Sequence, residues 1–240
     1  MRVTDLPLPR AIATRPRDPD TGSWVPAITH WRNGVPAWGE VSGERQLLCA
    51  LQRRCGVCGR RFADDETEWH VVGRRTAVLI DYALRRGGEL ARPVMTREVP
   101  AHEICAVFSV LACPFLASPN ARRRRDGDGL NADAQAGTRR GTGAALAGFA
   151  PYRLKVTPQR PDLIFALELV RPRQVRHYNL GIELLGHLRQ LVAADGEPRE
   201  PDPPFLGVDD EAAVLELQRT LREDRDGGAV RRPVRGQMPG

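Results

Sequence analysis

Lysine is almost absent from this 240-residue sequence, since Lys155 is the only lysine among 36 basic residues. Aromatic residues are also few, at 5%, and no apolar run approaches the ~20 residues that would span a bilayer. With 41% hydrophobic and 28% charged residues, the composition excludes a collagen-like or coiled-coil rod and a wholly disordered chain. We expect a soluble protein of one or two small domains.

The basic side chains are therefore nearly all arginines, and with 30 acidic residues the formal net charge is +6. Arginine offers planar, bidentate donors that suit phosphate and carboxylate groups. G+C-rich coding produces the same bias without any function, and net charge speaks only to solubility and non-specific binding. The charge balance alone is therefore slight support for a nucleic-acid partner.

Cysteine usage indicates a reducing compartment. The first residues, Met1–Asp5, lack the charged-then-apolar pattern of a signal peptide, and the number of cysteines is odd, which disfavours a secreted disulfide framework. The five are Cys49, Cys55, Cys58, Cys105 and Cys113. We expect a cytoplasmic protein, where clustered cysteines more often bind metal.

The first third of the chain predicts an arm, a hairpin and a helix. Residues 1–22 are rich in proline and arginine and predict a flexible extended arm, with order beginning near Trp24. Residues 24–31 resemble an edge strand, and Asn33-Gly34 is a strong turn signal leading into a second strand over 37–41. A helix over 44–54 follows, with an apolar stripe of leucines.

Two β-prone runs, 68–72 and 76–80, predict a second hairpin across Gly73-Arg74-Arg75, although the second run could instead continue into a helix through Leu84. The apolar run 104–111 predicts a helix that starts near Pro100–Glu103 and ends before Pro114.

The later chain predicts a second, smaller ordered unit. Residues 118–150 are rich in Gly, Ala and Arg and predict a flexible insertion. Strands over 152–156 and 162–170 and a helix over 178–194 then form a strand-strand-helix unit. The domain plan is an arm over 1–22, a zinc-knuckle module over 23–117, the insertion over 118–150, the smaller unit over 151–195 and a Pro-rich tail over 196–240. The tail carries one amphipathic helix over 209–224, with the stripe Val214, Leu217 and Leu221.

Cys55-Gly56-Val57-Cys58 is the most informative segment, because two thiolates two residues apart can converge on one cation while the glycine permits a tight turn. A redox pair is the alternative, but the βαβ context of a thioredoxin-like motif is missing. Zinc needs two further ligands, and the nearest candidates are His102, Cys105 and Cys113.

His102 and Cys105 lie at the predicted helix start, where residues i and i+3 share a face and the helix dipole favours thiolate. A knuckle, a β-hairpin and a helix that supplies two ligands is the order of a treble-clef zinc finger. We therefore predict a structural zinc site of Cys55, Cys58, His102 and Cys105. Cys113 would lie about 12 Å further along a continuous helix, so it can serve as a substitute ligand only if that helix breaks.

The pattern Cys55-x2-Cys58-Gly59, a distant Cys105 and then Cys113-Pro114-Phe115-Leu116 resembles uncharacterised zinc-finger-like proteins of high-G+C bacteria and their phages. The likeness covers about residues 24–116. That pattern has a cysteine where Phe108 stands and a histidine where Phe115 stands. The resemblance implies a zinc-binding fold and supplies no activity; either His102 replaces the lost ligand or the site has decayed.

Other candidate residues have simpler interpretations. Cys113-Pro114 could offer a thiolate to haem iron, although a cysteine at a helix end is the preferred interpretation. His70 lies close to the acidic residues 64–66 and Glu68, and it could be the catalytic histidine of a zinc-dependent nuclease. The following helix, however, lacks the second histidine that such a site needs. Structural roles are favoured for Cys49, His177 and His187.

The arginine pairs near the knuckle could form a phosphate-binding face, with solvated surface charge as the alternative. The candidate nucleic-acid contacts are Arg53, Arg54, Arg60, Arg61, Arg74, Arg75, Arg122 and Arg123. The leading expectation is an α+β protein with a treble-clef-like zinc module that acts as a non-enzymatic accessory or regulatory protein and contacts nucleic acid. The alternatives are a protein-interaction module that uses the 209–224 helix, and a metal- or haem-dependent enzyme whose site includes Cys113.

Overall fold

The computed structural model describes residues 3–122, 136–158 and 163–196, together with Arg219. Its class is mixed α+β, as predicted. The helices are α1 Arg10–Ala13, α2 Gly43–Leu51, α3 Arg74–Arg85, α4 Glu103–Ala112, α5 Pro114–Ala117 and α6 Leu185–Ala193. The strands are β1 Thr29–Arg32, β2 Val35–Val41, β3 Glu68–Val72, β4 Val94–Thr96, β5 Ala144–Phe149, β6 Arg153–Pro158, β7 Leu163–Leu169 and β8 Pro172–Tyr178. In these described ranges no helix is long and apolar enough to cross a bilayer.

The N-terminal segment is packed against the body, so the prediction of a flexible arm is wrong for residues 3–22. Leu6 and Ile12 are buried in the same core cluster as the knuckle cysteines. Asp18 accepts hydrogen bonds from the Thr21 hydroxyl and the Trp38 indole, both at 2.7 Å. Two apolar side chains and one bonded carboxylate are enough to anchor a segment whose composition alone indicated disorder.

The first hairpin forms as predicted. β1 and β2 pair in antiparallel fashion around Asn33 and Gly34, whose φ angles of 52° and 75° are the left-handed values that favour this dipeptide. Ser42 then caps α2 by accepting a hydrogen bond from the Arg45 backbone N–H.

The second predicted hairpin is wrong, and the alternative helix is present. β3 is followed directly by α3, whose buried residues Ala77, Ile80 and Ala83 recur at helical spacing. β3 instead pairs with β5 in the antiparallel order β3-β5-β8, and the remaining strands form a second sheet in the order β4-β7-β6.

β5 lies within the range predicted as a flexible insertion, and it is a central strand with all six residues buried. The prediction of flexibility is therefore wrong for residues 144–149. Small residues with low strand propensity are used here because the strand is packed closely. At Gly148 a Cβ would lie 2.5 Å from Thr67 Cγ2.

β6, β7 and α6 confirm the predicted strand-strand-helix elements, but α6 begins at Leu185 and not at Tyr178. β8, which was not predicted, ends at Tyr178, and a short 3-10 helix, Gly181–Leu184, precedes α6. Leu184 and Leu188 are buried on the predicted apolar face. Each three-stranded sheet combines strands from both predicted units: β3 and β4 come from residues 23–117, and their partner strands come from later in the chain. The predicted tail helix over 209–224 lies outside the described residues except for Arg219.

Candidate metal centre

The knuckle between α2 and β3 is a tight loop held by its own backbone. The Cys55 N–H donates to the Arg60 carbonyl at 2.8 Å, and the Gly59 N–H donates to the Cys55 carbonyl at 2.9 Å. The N–H groups of Val57 and Cys58 point at Cys55 Sγ, at 3.4 and 3.5 Å. These contacts turn both thiols to the same side of the loop.

A short stretch before α4 fixes the other half of the cluster. The Gly56 N–H donates to the Pro100 carbonyl at 2.9 Å, and Ala101 exchanges two 2.9 Å hydrogen bonds with Trp69 of β3. A Cβ at Gly56 would lie 2.7 Å from Val99 Cγ2, so glycine permits this close approach. His102, which follows Ala101, is the N-cap of α4.

Four ligand atoms converge where the knuckle meets α4. One atom each from Cys55, Cys58, His102 and Cys105 lies within 4.8 Å of the others, and His102 Nδ1 is 3.4 Å from Cys58 Sγ. Tetrahedral zinc needs ligand atoms about 3.8 Å apart. The cysteines are buried and the histidine is half-buried, so the donor set, three thiols and one imidazole, fits a metal ion that prefers sulfur and nitrogen.

Within the cluster the Cys55 thiol and His102 are the groups that favour their charged forms, whereas interaction with Cys55 and burial raise the pKa values of the Cys105 and Cys58 thiols. Burial opposes ionisation of the Cys55 thiol, but hydrogen bonds from the Cys105 and Cys58 thiols outweigh it and hold the pKa of Cys55 well below its usual value. Burial also opposes charging of His102, and the neighbouring Cys55 thiolate more than offsets it, so the pKa of His102 is well above its usual value. A bound cation would replace these shared protons.

The second ring nitrogen of His102 has partners that the sequence did not indicate. His102 Nε2 lies 3.4 Å from the Arg61 carbonyl oxygen and 3.7 Å from Glu66 Oε1, and the Phe62 ring packs 4.5 Å away, centroid to centroid. A carbonyl or carboxylate behind the histidine orients the ring and presents Nδ1 to the metal. The motif spacing marks only ligands, so these supporting residues carry no sequence signal.

The other two cysteines stay apart from the cluster. Cys49 is fully buried among apolar residues of α2 and its neighbours, and burial raises the pKa of its thiol, in keeping with the structural role favoured from sequence. Cys113 is the C-cap residue of α4 and directly precedes Pro114. Its side chain is half-buried. It is not among the converging side chains in the described part of the chain, so the substitute-ligand role is not needed.

Two of the predicted nucleic-acid contacts, Arg53 and Arg54, have partners within the fold. Arg53 reaches the fully buried Glu68 at 3.0 Å. Arg54 is itself buried and donates to the Gly59 carbonyl of the knuckle at 2.9 Å. The Arg54 guanidinium braces the knuckle, whereas that of Arg53 also donates to the carbonyls of Ala63 and Asp64. Phosphate contact by either residue stays a prediction. Arg123 lies outside the described residues.

The remaining predicted arginines lie at the surface, and several border one groove. A cavity of about 650 Å³ runs between the start of α3, the α4–α5 junction and residues 138–140. Arg74 and Arg75 from α3 and Arg139 line it and are exposed. Arg122 lies beside Arg139 through a backbone bridge, whereas Arg60 and Arg61 are on the knuckle loop outside the groove lining.

Arg140 also lines the groove but is partly committed to the fold. Its Nε donates to the Ser118 carbonyl at 3.2 Å, and a second nitrogen donates to the Asn179 carbonyl. The guanidinium carbon lies 5.1 Å from the Tyr178 ring centroid. Arg140 therefore anchors the 138–140 segment beside β8.

The remaining histidines have places within the fold. His70 is buried in β3, and its Nε2 has no hydrogen-bond partner among the residues that the structure describes. Burial lowers its pKa to about 3. His177 pairs with Asp81 and His187 pairs with Glu103, both at 2.7 Å. These hydrogen bonds tie β8 to α3 and α6 to α4.

Comparison with protein-family models gives no match, and neither curated proteins nor solved structures show significant similarity to the chain.

Proposed function

We propose that this protein is a zinc-stabilised, non-enzymatic accessory protein that holds nucleic acid on the arginine-lined groove beside its metal centre. The observation that carries the proposal is the convergence of Cys55, Cys58, His102 and Cys105 within 4.8 Å. With four protein ligands a zinc ion has no open coordination position, which is typical of a structural site.

The groove supports the nucleic-acid part of the proposal. Arg74, Arg75 and Arg139 present exposed guanidinium groups along one cavity, and guanidinium groups suit phosphate oxygens. Arg74 and Arg75 belong to the first turn of α3, whose backbone N–H groups add to the positive potential. The likeness to zinc-finger-like proteins of high-G+C bacteria and their phages is consistent with a zinc-binding fold.

The metal is tested on the full-length protein purified without chelator. We expect one zinc per chain by plasma mass spectrometry and no visible chromophore. Substitution with Co²⁺ should then give the thiolate charge-transfer and tetrahedral ligand-field bands of a Cys3His site. A zinc-free protein, or a strong Soret band, would contradict the proposal and favour the haem alternative.

The groove is tested by the salt dependence of nucleic-acid binding. In the double variant Arg74→Gln/Arg75→Gln, binding to duplex DNA should weaken, and the slope of log affinity against log salt should fall by about 2. The control is Arg153→Gln/Arg171→Gln, which removes the same charge from exposed residues outside the groove lining. Equal losses in both variants would show that net charge, and not the groove, determines binding.

A further inference from the structure

Helix α3 exposes large apolar side chains on the side away from its sheet. Val78, Leu79 and Tyr82 are 54%, 56% and 51% exposed, whereas Ala77, Ile80 and Ala83 are buried on the opposite side. We call Val78, Leu79 and Tyr82 the α3 outer face. Because residues three and four apart are neighbours on a helix, these side chains form one contiguous apolar patch.

Positive charge stands at both ends of this patch. Arg75 precedes it by one turn, and Arg85 and Arg86 follow it. The Arg86 guanidinium lies 4.8 Å from the Tyr82 ring centroid. The one acid of α3, Asp81, is already paired with His177 of β8. An occupant of the outer face should therefore be apolar in the middle and acidic at both ends.

Residues 209–224 of the same chain have this pattern. Val214, Leu217 and Leu221 are spaced by three and four residues, so a helix would place them on one side. Arg219, the residue of this segment that the structure describes, is helical. The acidic residues stand mostly at the two ends: Asp209, Asp210 and Glu211 at the start, Glu216 in the middle, and Glu223 and Asp224 at the end. The two basic residues, Arg219 and Arg222, would lie outside the apolar stripe of such a helix.

The connection is long enough for the segment to reach α3. The folded body's last described stretch ends at Gly196, next to Asp195, which accepts a 2.8 Å hydrogen bond from the Arg10 backbone. Residues 197–208 can extend about 40 Å, comparable to the diameter of a globular body of this size. A tether of this length keeps the segment at millimolar effective concentration, which favours it over a separate partner.

We propose that residues 209–224 dock as a helix on the α3 outer face of the same molecule. Val214, Leu217 and Leu221 would cover Val78, Leu79 and Tyr82, and the acidic ends would lie against Arg75 at one end and Arg85 and Arg86 at the other. The inference depends on this complementarity and does not require that the groove bind nucleic acid.

Photocrosslinking of the full chain tests the docking. With Leu79 replaced by p-benzoylphenylalanine, we expect a crosslink within one molecule to a peptide of residues 209–224, with a yield unchanged on dilution. The control places the same photoreactive residue at Val35, which is 46% exposed on β2 and should not capture the segment.

The variant Leu217→Asp/Leu221→Asp should lose the Leu79 crosslink while keeping its metal content, because both changes lie outside the metal centre. Capture only between two molecules would overturn the proposal in favour of a dimer. Capture of no tail peptide, equal capture from Val35, or a crosslink that survives Leu217→Asp/Leu221→Asp would also overturn it.

Discussion

Cys49 and Cys55 are both fully buried, yet their surroundings give the two thiols opposite chemistry. Burial raises the pKa of Cys49, whereas hydrogen bonds from the neighbouring cysteines hold the pKa of Cys55 well below its usual value despite burial. Only the second thiol is prepared to lose its proton to a metal ion. Burial of a cysteine is therefore no guide to ligand character here.

This contrast gives a matched pair of variants. We expect Cys55→Ser to reduce bound zinc well below one per chain and to lower the thermal unfolding midpoint, since a ligand is lost. Cys49→Ser should leave the zinc content unchanged. Metal analysis and thermal unfolding of both proteins measure this, and equal zinc content in the two would contradict the ligand assignment.

All four ligand residues were predictable as two locally spaced pairs, and their supporting residues were not. The Cys-x-x-Cys turn and the i, i+3 pair His102 and Cys105 are set by sequence neighbours. Arg53 and Arg54 form an equally conspicuous pair, but one reaches the buried Glu68 and the other the knuckle carbonyl. Their exposure is decided by how the knuckle and β3 fold back around them, which spacing does not report.

His70 should make stability depend on pH. Burial lowers its pKa to about 3 from an ordinary value near 6.5, so between these values the unfolded chain binds a proton that the folded chain does not. The contribution of neutral His70 to the free energy of unfolding is fully present above pH 6.5. It is lost as the pH falls, by up to about 1.4 kcal/mol per pH unit.

The variant His70→Leu removes this titration and the unpartnered Nε2 together. Unfolding by urea between pH 7 and pH 4 should show a shallower decline for the variant than for the parent protein. The metal ligands also bind protons in this range, so the difference between the two curves is the quantity that matters. Parallel curves would show that His70 is not a buried neutral side chain.

At the scale of single elements, β5 shows why composition is misleading. Its sequence, Ala-Ala-Leu-Ala-Gly-Phe, has the small residues of a linker, and it follows a stretch rich in Gly and Arg. In the fold it lies between β3 and β8, and α3 packs on the same sheet, so small side chains are required by the packing. By contrast, the β1–β2 hairpin and α6 were predictable because a turn dipeptide and a helical stripe are local signals.

Two glycines in regular elements should respond in opposite ways to alanine. Gly148→Ala in β5 would place a Cβ 2.5 Å from Thr67 Cγ2 and 3.1 Å from the Trp69 ring, so we expect a loss of about 1–3 kcal/mol in unfolding free energy. Gly186→Ala in α6 meets open space and should stabilise the helix by up to about 1 kcal/mol. Urea unfolding of both variants measures this, and equal effects would contradict the packing around β5.

At the scale of the whole molecule, strands from different predicted domains pair within the same sheet. β3 pairs with β5, and β4 pairs with β7, so these two strands of the earlier half each depend on a partner from the later half, whereas β1 and β2 pair with each other. Sequence patterns show where strands are but not which strands pair, and pairing across a long connection is decided by the assembled core.

The isolated fragment 23–117 should therefore not fold, even with zinc. It contains all four ligands, but it lacks the partners of β3 and β4 and the α6 residues that pack on α4. Circular dichroism and hydrogen exchange of the zinc-loaded fragment should show little protection outside the knuckle. Full protection of α3 and α4 in this fragment would show that the earlier half is an independent domain.

The same pairing has a consequence during synthesis. A nascent chain on the ribosome exposes Cys55 and Cys58 well before β5 and β8 are translated, so these thiols emerge without the sheet that shields them. Early capture of a metal ion would protect them from oxidation until translation has supplied the later strands. Cells starved of zinc should therefore accumulate this protein as oxidised, protease-sensitive chains rather than as a folded apoprotein.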